Sequence, residues 1–197
     1  MDKITIQTYN QSAQDYDDET SDFWDRFPRT FLDEFINLGK GKVLDLGCGP
    51  GRDGLLIQEK GCEVICFDAS EEMLKLCKEK GLTTIQGDFM KLPFDKEEFD
   101  GVWAYAALLH ISKKEFPKAL KEIHRVLKAD SALAIGMIEG TEEFYKNSVN
   151  MGQRWFSYYT HDELIKYLED AGFQIIYQEE FKPRSKNYFN ILCMKIG

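Results

Sequence analysis

Val43-Leu44-Asp45-Leu46-Gly47-Cys48-Gly49-Pro50-Gly51-Arg52-Asp53-Gly54 is the stretch on which the reading of this chain turns. Three apolar residues around one carboxylate run into four glycines within eight positions, and the helix-compatible Leu55-Leu56-Ile57-Gln58-Glu59 follows. A buried parallel strand, a tight turn and a helix start produce this pattern. Glycine has no Cβ, so a ligand can lie directly against the backbone, and Gly54 lets the new helix sit close on the sheet. The expectation is a nucleotide-like ligand at the carboxyl end of the first strand.

Two ligands compete. Gly49-Pro50-Gly51-Arg52-Asp53-Gly54 fits the dinucleotide fingerprint literally, but that frame starts two residues after the strand's natural end at Gly47. Pro50 also removes an amide that a pyrophosphate would use. Counted from Gly47, the fingerprint needs glycine where Arg52 stands. Asp45 would repel a pyrophosphate, an effect that Arg52 only partly offsets. It suits a ligand with an ammonium, a sulfonium and no phosphate, and S-adenosylmethionine is such a ligand.

At 197 residues the chain has the length of one domain with a continuous core. A net charge of −9 argues against a nucleic-acid backbone as partner. No long apolar run or N-terminal signal pattern stands out, so a cytoplasmic protein that does not enter membranes is expected. The five cysteines lack C-x-x-C spacing, which predicts reduced thiols and no metal site. Cys62, Val64 and Cys66 share one strand face and read as core.

Residues 1–20 are polar, with Tyr9 and Tyr16 among them; they form either a frayed terminus or a flap over a ligand. Phe23, Trp24, Phe27, Phe31, Phe35 and Leu38 recur at helical steps up to Gly39, and Pro28 either kinks that helix or starts it. Gly61 to Asp68 is a second strand. Its terminal Asp68 lies 23 residues beyond Asp45, the spacing that sets an acid on ribose hydroxyls. It is alternatively an ordinary acid before the helix that Ser70 would cap. Leu82–Gln86 makes a third strand into Gly87-Asp88-Phe89-Met90, where Asp88 either receives an adenine amine or is a turn aspartate. The fourth strand, Gly101–Tyr105, should lie beside the first, and its tip leads to His110. Residues 113–127 read as a helix and Ser131–Ile138 as a fifth strand.

DLGCGPG at 45–51, Asp68, Gly87-Asp88, FDGVWAYAALLHI at 99–111 and LKEIHRVLKADSALAI at 120–135 together resemble the class I S-adenosylmethionine-dependent methyltransferases. The likeness is to the small single-domain group acting on small molecules. The tail from Phe156 through Phe173 is similar to that family's last helix and strand hairpin. Lys128-Ala129-Asp130-Ser131 departs from it, because relatives carry a Pro-Gly-Gly turn there. The resemblance implies an α/β fold: a doubly wound, Rossmann-like, seven-stranded sheet with helices on both faces and an antiparallel last strand. It implies one domain over 1–197, with 1–40 as part of a cap and 139–159 as a lid-like insert. Asp45, Gly47 and Gly49 would hold the methionine portion, Asp68 the ribose, and Asp88 with Phe89 the adenine, with Cys48, Gly51, Ala69, Met73 and Gly87 also in the cofactor-binding set. Ala104 and Tyr105 would line the sulfonium end.

Methyl transfer from a sulfonium is an in-line displacement, so holding two partners aligned in a dry pocket is the main task. A general base is needed only if the acceptor must lose a proton. His110 and Tyr105 are the candidates for that role, although His110 is alternatively a capping histidine. Tyr9, Tyr16, Trp155 and Tyr158 are the substrate-side candidates. The acceptor is expected to be a small molecule, partly apolar or cationic given the acidic chain. Lys182, Arg184 and Lys186 are too few to reinstate nucleic acid. A monomer or homodimer is expected. A module that binds S-adenosylmethionine without turnover, or a nicotinamide oxidoreductase, would be the alternatives.

Overall fold

A computed structural model gives the fold and describes residues 2–149, 151–183 and 185–196; Arg184 lies outside them. The polar N-terminus forms two helices, α1 (Lys3–Gln11) and α2 (Ala13–Thr20). Asp2 caps α1 by accepting from the Thr5 amide at 2.8 Å. The buried side of these helices is polar, with Thr5, Thr8, Ser12 and Asp17 tied down, so no apolar period announced them. The arm is folded and not frayed, with α1 packed against the helix Glu71–Glu79 and the strand Gly152–Ser157.

The aromatic run splits around Pro28 into α3 (Phe23–Arg26) and α4 (Thr30–Leu38). Proline fixes its own φ and bars the residue before it from helix, and Phe27 is extended accordingly. Then follow β1 (Lys42–Leu46), α5 (Arg52–Glu59), β2 (Glu63–Asp68), α6 (Glu71–Glu79), β3 (Thr83–Gln86) and β4 (Phe99–Tyr105). The second half holds α7 (Phe116–Val126), β5 (Leu127–Ile138), β6 (Glu143–Ser148), β7 (Gly152–Ser157), α8 (His161–Asp170), β8 (Phe173–Phe181) and β9 (Tyr188–Lys195).

Seven strands form one sheet in the order β3-β2-β1-β4-β5-β9-β8. The first five are parallel, and β9 runs antiparallel between β5 and β8. Strand side chains alternate, so two cores form. Leu44, Leu46, Phe67, Val102 and Ala104 face α7 and α8, while Val43, Cys66, Trp103 and Tyr105 face α4, α5 and α6. The sheet order reverses between β1 and β4, and this is the crevice where a ligand is expected.

Two segments differ from expectation. The helix expected over 113–127 starts only at Phe116, and Leu127 already pairs with Phe99 as strand. The 139–159 insert is a β6–β7 hairpin with its own two-stranded sheet. β6 alternates between exposed and half-buried residues, and β7 becomes buried only at Phe156 and Ser157. At the Lys128–Ser131 departure, Asp130 takes the left-handed φ of 55° that a glycine would adopt freely.

Candidate active site

Asp45 ends up with its side chain on the α5 face of the sheet, level with Cys66 and Trp103 on the flanking strands. It is 2 % exposed, and its Oδ2 has no hydrogen-bond partner among the described residues. Burial, then the neighbouring Asp53, holds its carboxyl well above the usual range. A Cβ on Gly54 would stand 2.9 Å from Cys66 Sγ and 3.0 Å from Asp45 Oδ2. The helix therefore approaches this closely only on a glycine.

Asp68, at the tip of β2, ties the loop down. Its Oδ2 accepts from the Gly49 amide at 3.0 Å and its Oδ1 from the Ser70 amide at 2.8 Å. Burial raises it to about 6 against those bonds. Ser70 in turn caps α6 through the Met73 amide and donates to Asn10 Oδ1 on α1 at 2.7 Å. A Cβ on Gly49 would meet only the Tyr16 ring, at 3.8 Å, so this part of the loop is open toward the arm.

Beneath the loop, Asp53 gathers four donors: the Trp24 indole at 2.6 Å, the Trp103 indole at 2.9 Å, and Arg52 through Nε at 2.6 Å and Nη2 at 3.1 Å. Burial pushes its carboxyl up, but the Arg52 charge and these bonds bring it below the ordinary value. Arg52 also stacks 4.7 Å from the Phe23 ring.

At the far side, Tyr9 meets His110. Nδ1 of His110 lies 2.7 Å from the Trp155 carbonyl, which can only accept, so Nδ1 carries the proton. Nε2 is then the acceptor for the Tyr9 hydroxyl at 2.8 Å. Arg154 donates to the same hydroxyl at 3.2 Å. Burial, with Arg154 and Lys186 nearby, lowers His110 to about 4, so the ring is neutral at physiological pH.

These groups share a cavity of about 60 Å³, walled by Tyr9, Tyr16, Asp45, Gly47, Cys48, Gly49, Asp68, Met73, Phe89, Tyr105 and His110. Arg52, Asp53, Ala106 and Ala107 join them without having been expected there. Ala106 sits in left-handed backbone at φ 54°, a costly conformation of the kind that collects at functional sites. Tyr9, Tyr16, Ala106 and His110 also wall a second cavity of about 300 Å³, with Ile138, Arg154, Phe156, Lys186 and Tyr188 around it.

Several expected residues do other work. A Cβ on Gly51 (φ +86°) would press on Leu82 and Cys77, and one on Gly87 would press on the Phe67 ring, so packing selects both glycines. Asp88 accepts from the Met90 amide at 2.9 Å as a turn aspartate. Ala69 offers its carbonyl to Gln86 at 3.0 Å, outside the cavity wall. Ala104 is fully buried toward α7, and Ala106 and Ala107 take its place at the wall.

Strand alternation in β7 turns the Trp155 ring away, toward Tyr145, and it contributes only its carbonyl. Tyr158 packs on Phe144 and accepts from Lys186 at 2.8 Å. The Tyr105 ring stacks between Trp103 and Tyr188, and its buried hydroxyl has no partner among the described residues. Burial pushes that phenol well above its usual range, which makes it a poor base. Cys48 in the glycine loop, Cys66 on β2 and Cys77 on α6 bring their sulfurs within 4.8 Å of one another, a grouping that their spacing hid.

Residues 43–130 match the profile of the methyltransferase domain family. An uncharacterized methyltransferase of Schizosaccharomyces pombe is 30% identical over 194 residues, covering 85% of this chain and 72% of that protein. One of Staphylococcus carnosus is 31% identical over 140 residues, 71% of this chain; the match spans only 64% of that relative's length. In structure, the chain resembles the 1,6-didemethyltoxoflavin-N1-methyltransferase of Burkholderia thailandensis, solved with S-adenosylhomocysteine and 1,6-didemethyltoxoflavin. The TM-score is 0.76 at 22% identity, over 98% of this chain and 85% of that one.

The fold is a doubly wound α/β sheet of the Rossmann-like, class I type, with a cavity at the β1/β4 crevice. The chain belongs to the S-adenosylmethionine-dependent methyltransferases, and the dinucleotide reading of its glycine loop falls away.

Proposed function

We propose that the chain moves the methyl group of S-adenosylmethionine to a small acceptor held in the larger cavity, with His110 taking the acceptor's proton. The observation that carries this reading is the Tyr9–His110 bond, which stands in the wall common to both cavities. The buried, unpartnered Asp45 oxygen fits a ligand that brings an ammonium, and Asp68 keeps lone pairs for ribose hydroxyls. Phe89 and Met73 offer apolar surface to an adenine.

S-adenosylmethionine, when bound, supplies an electrophilic methyl on sulfur with a neutral thioether as leaving group. The acceptor's proton passes to the Tyr9 oxygen as the Tyr9 proton passes to His110 Nε2. The acceptor's freed electron pair forms the new bond to the methyl, and the carbon–sulfur pair stays on sulfur. His110 then returns its proton to solvent. Burial keeps Tyr9 a phenol, which is the form that can relay. The α1–α2 arm and the β6–β7 hairpin act as the cap that keeps water out. A module that only stores the cofactor would have no use for a neutral imidazole between two cavities.

The test incubates the protein with methyl-labelled S-adenosylmethionine and a panel of small hydroxy and amino compounds. Acceptor-dependent transfer of label, lost in His110→Gln, supports the reading. Tight cofactor binding with no transfer across the panel would instead favour a binding module.

A further inference from the structure

The larger cavity is positively charged within a chain of net charge −9. Arg154 and Lys186 stand in its wall, their charged ends 5.4 Å and 5.0 Å from the centre of the same Phe156 ring. Neither forms an ion pair among the described residues. Arg154 donates to the Tyr9 hydroxyl and, at 3.5 Å, to Ser148 Oγ, while its Nε is buried with no partner among the described residues. Lys186 donates to Tyr158. Lys146 stands close behind: burial, then Lys186, depresses its ammonium, as burial and Arg154 depress that of Lys186. No described residue in the cavity wall is an acid.

Three like charges drawn together without counter-charge cost stability, and a ligand's negative charge would offset that cost. The flat guanidinium fork suits a carboxylate, with Nε and one Nη side by side as donors. Tyr16, Phe156 and Tyr188 add aromatic faces and Ile138 an apolar one.

We infer that the acceptor is a small planar acid, its carboxylate on Arg154 and Lys186 and its nucleophile toward the Tyr9 hydroxyl. This assignment rests on the methyl-transfer reading above. It reverses the cationic acceptor expected from overall charge, because the charge that matters is local to the wall. The same arrangement explains why Arg154 bonds Tyr9: one side chain fixes both the substrate's charge and the hydroxyl that removes its proton.

The experiment is titration of the protein, saturated with S-adenosylhomocysteine, with hydroxybenzoate, hydroxybenzamide, phenyl phosphate and tyramine. Binding of S-adenosylhomocysteine itself is measured first, and its failure would refute the cofactor reading separately. Hydroxybenzoate is expected to bind best, with an affinity about 10- to 100-fold lower in Arg154→Gln and Lys186→Met. Retained S-adenosylhomocysteine binding in the variants shows that they are folded. No preference for the acid over its amide, tighter binding of tyramine or phenyl phosphate, or full affinity in both variants would overturn the assignment.

Discussion

The hydroxyl of Tyr9 and Nε2 of His110 lie 2.8 Å apart, joining the first helix of the chain to the segment that follows β4. Because Trp155 takes the Nδ1 proton through its carbonyl, the direction of this bond is fixed, with tyrosine donating to imidazole. One contact therefore ties the N-terminal arm to the wall shared by the two cavities.

Tyr9→Phe keeps the ring and removes the relay. We expect kcat to fall by about 10²- to 10⁴-fold, the range for general-base catalysis, with acceptor KM moving far less. Steady-state kinetics check this. Unchanged kcat would show that the bond serves only to hold the arm.

Asp45→Asn separates stability from binding. The variant removes a buried carboxylate that has one unpartnered oxygen and faces Asp53. Its melting temperature should equal or exceed that of the parent, since burial and Asp53 hold this carboxyl well above its usual range, which costs stability at neutral pH. Its affinity for S-adenosylmethionine should fall at least several-fold. Differential scanning calorimetry and titration calorimetry measure the two.

Asp53→Ala acts in the opposite direction. It strands the Arg52 guanidinium, whose side chain is only 17% exposed, together with two indole N–H groups. Breaking a buried pair by removing one partner costs about 3–5 kcal/mol. Urea unfolding should show a loss of unfolding free energy of that size, obtained from the midpoint and the slope together.

Two buried groups pull stability in opposite directions with pH. His110 is lowered to about 4 from 6.5, so its contribution is complete above 6.5 and is lost as pH falls through 4. Asp68 is raised to about 6 from 3.8, so its contribution is complete below 3.8 and is lost as pH rises through 6. Relative to the parent, His110→Gln should gain stability on going from pH 7 to pH 5. Asp68→Asn should lose it over the same window. Denaturant midpoints at the two pH values test the crossing.

The sheet was readable because buried parallel strands are near-continuous apolar runs, and the acids at their tips, Asp45 and Asp68, fall at ligand spacing. The arm was not, since Thr5, Thr8, Ser12 and Asp17 bury polar surface without any apolar period. Nor was the cationic wall: Arg154 on β7 and Lys186 in the loop before β9 are far apart in sequence and come together beside the Phe156 ring. Expecting Trp155 at the site picked the right strand and the wrong face, which is a one-residue error in a period of two. At Asp68 the carboxylate lines the cavity and also accepts from the amide of Ser70, the residue that caps α6.

Titration calorimetry with S-adenosylhomocysteine is the most direct measurement of the central claim, that the β1/β4 crevice holds this cofactor. The parent should bind at micromolar concentration and ignore NADH. Asp68→Ala should bind tens of fold more weakly, as loss of charged hydrogen bonds worth about 1.5–3 kcal/mol requires. A folded protein that binds NADH instead, or binds S-adenosylhomocysteine equally well without Asp68, would contradict the account.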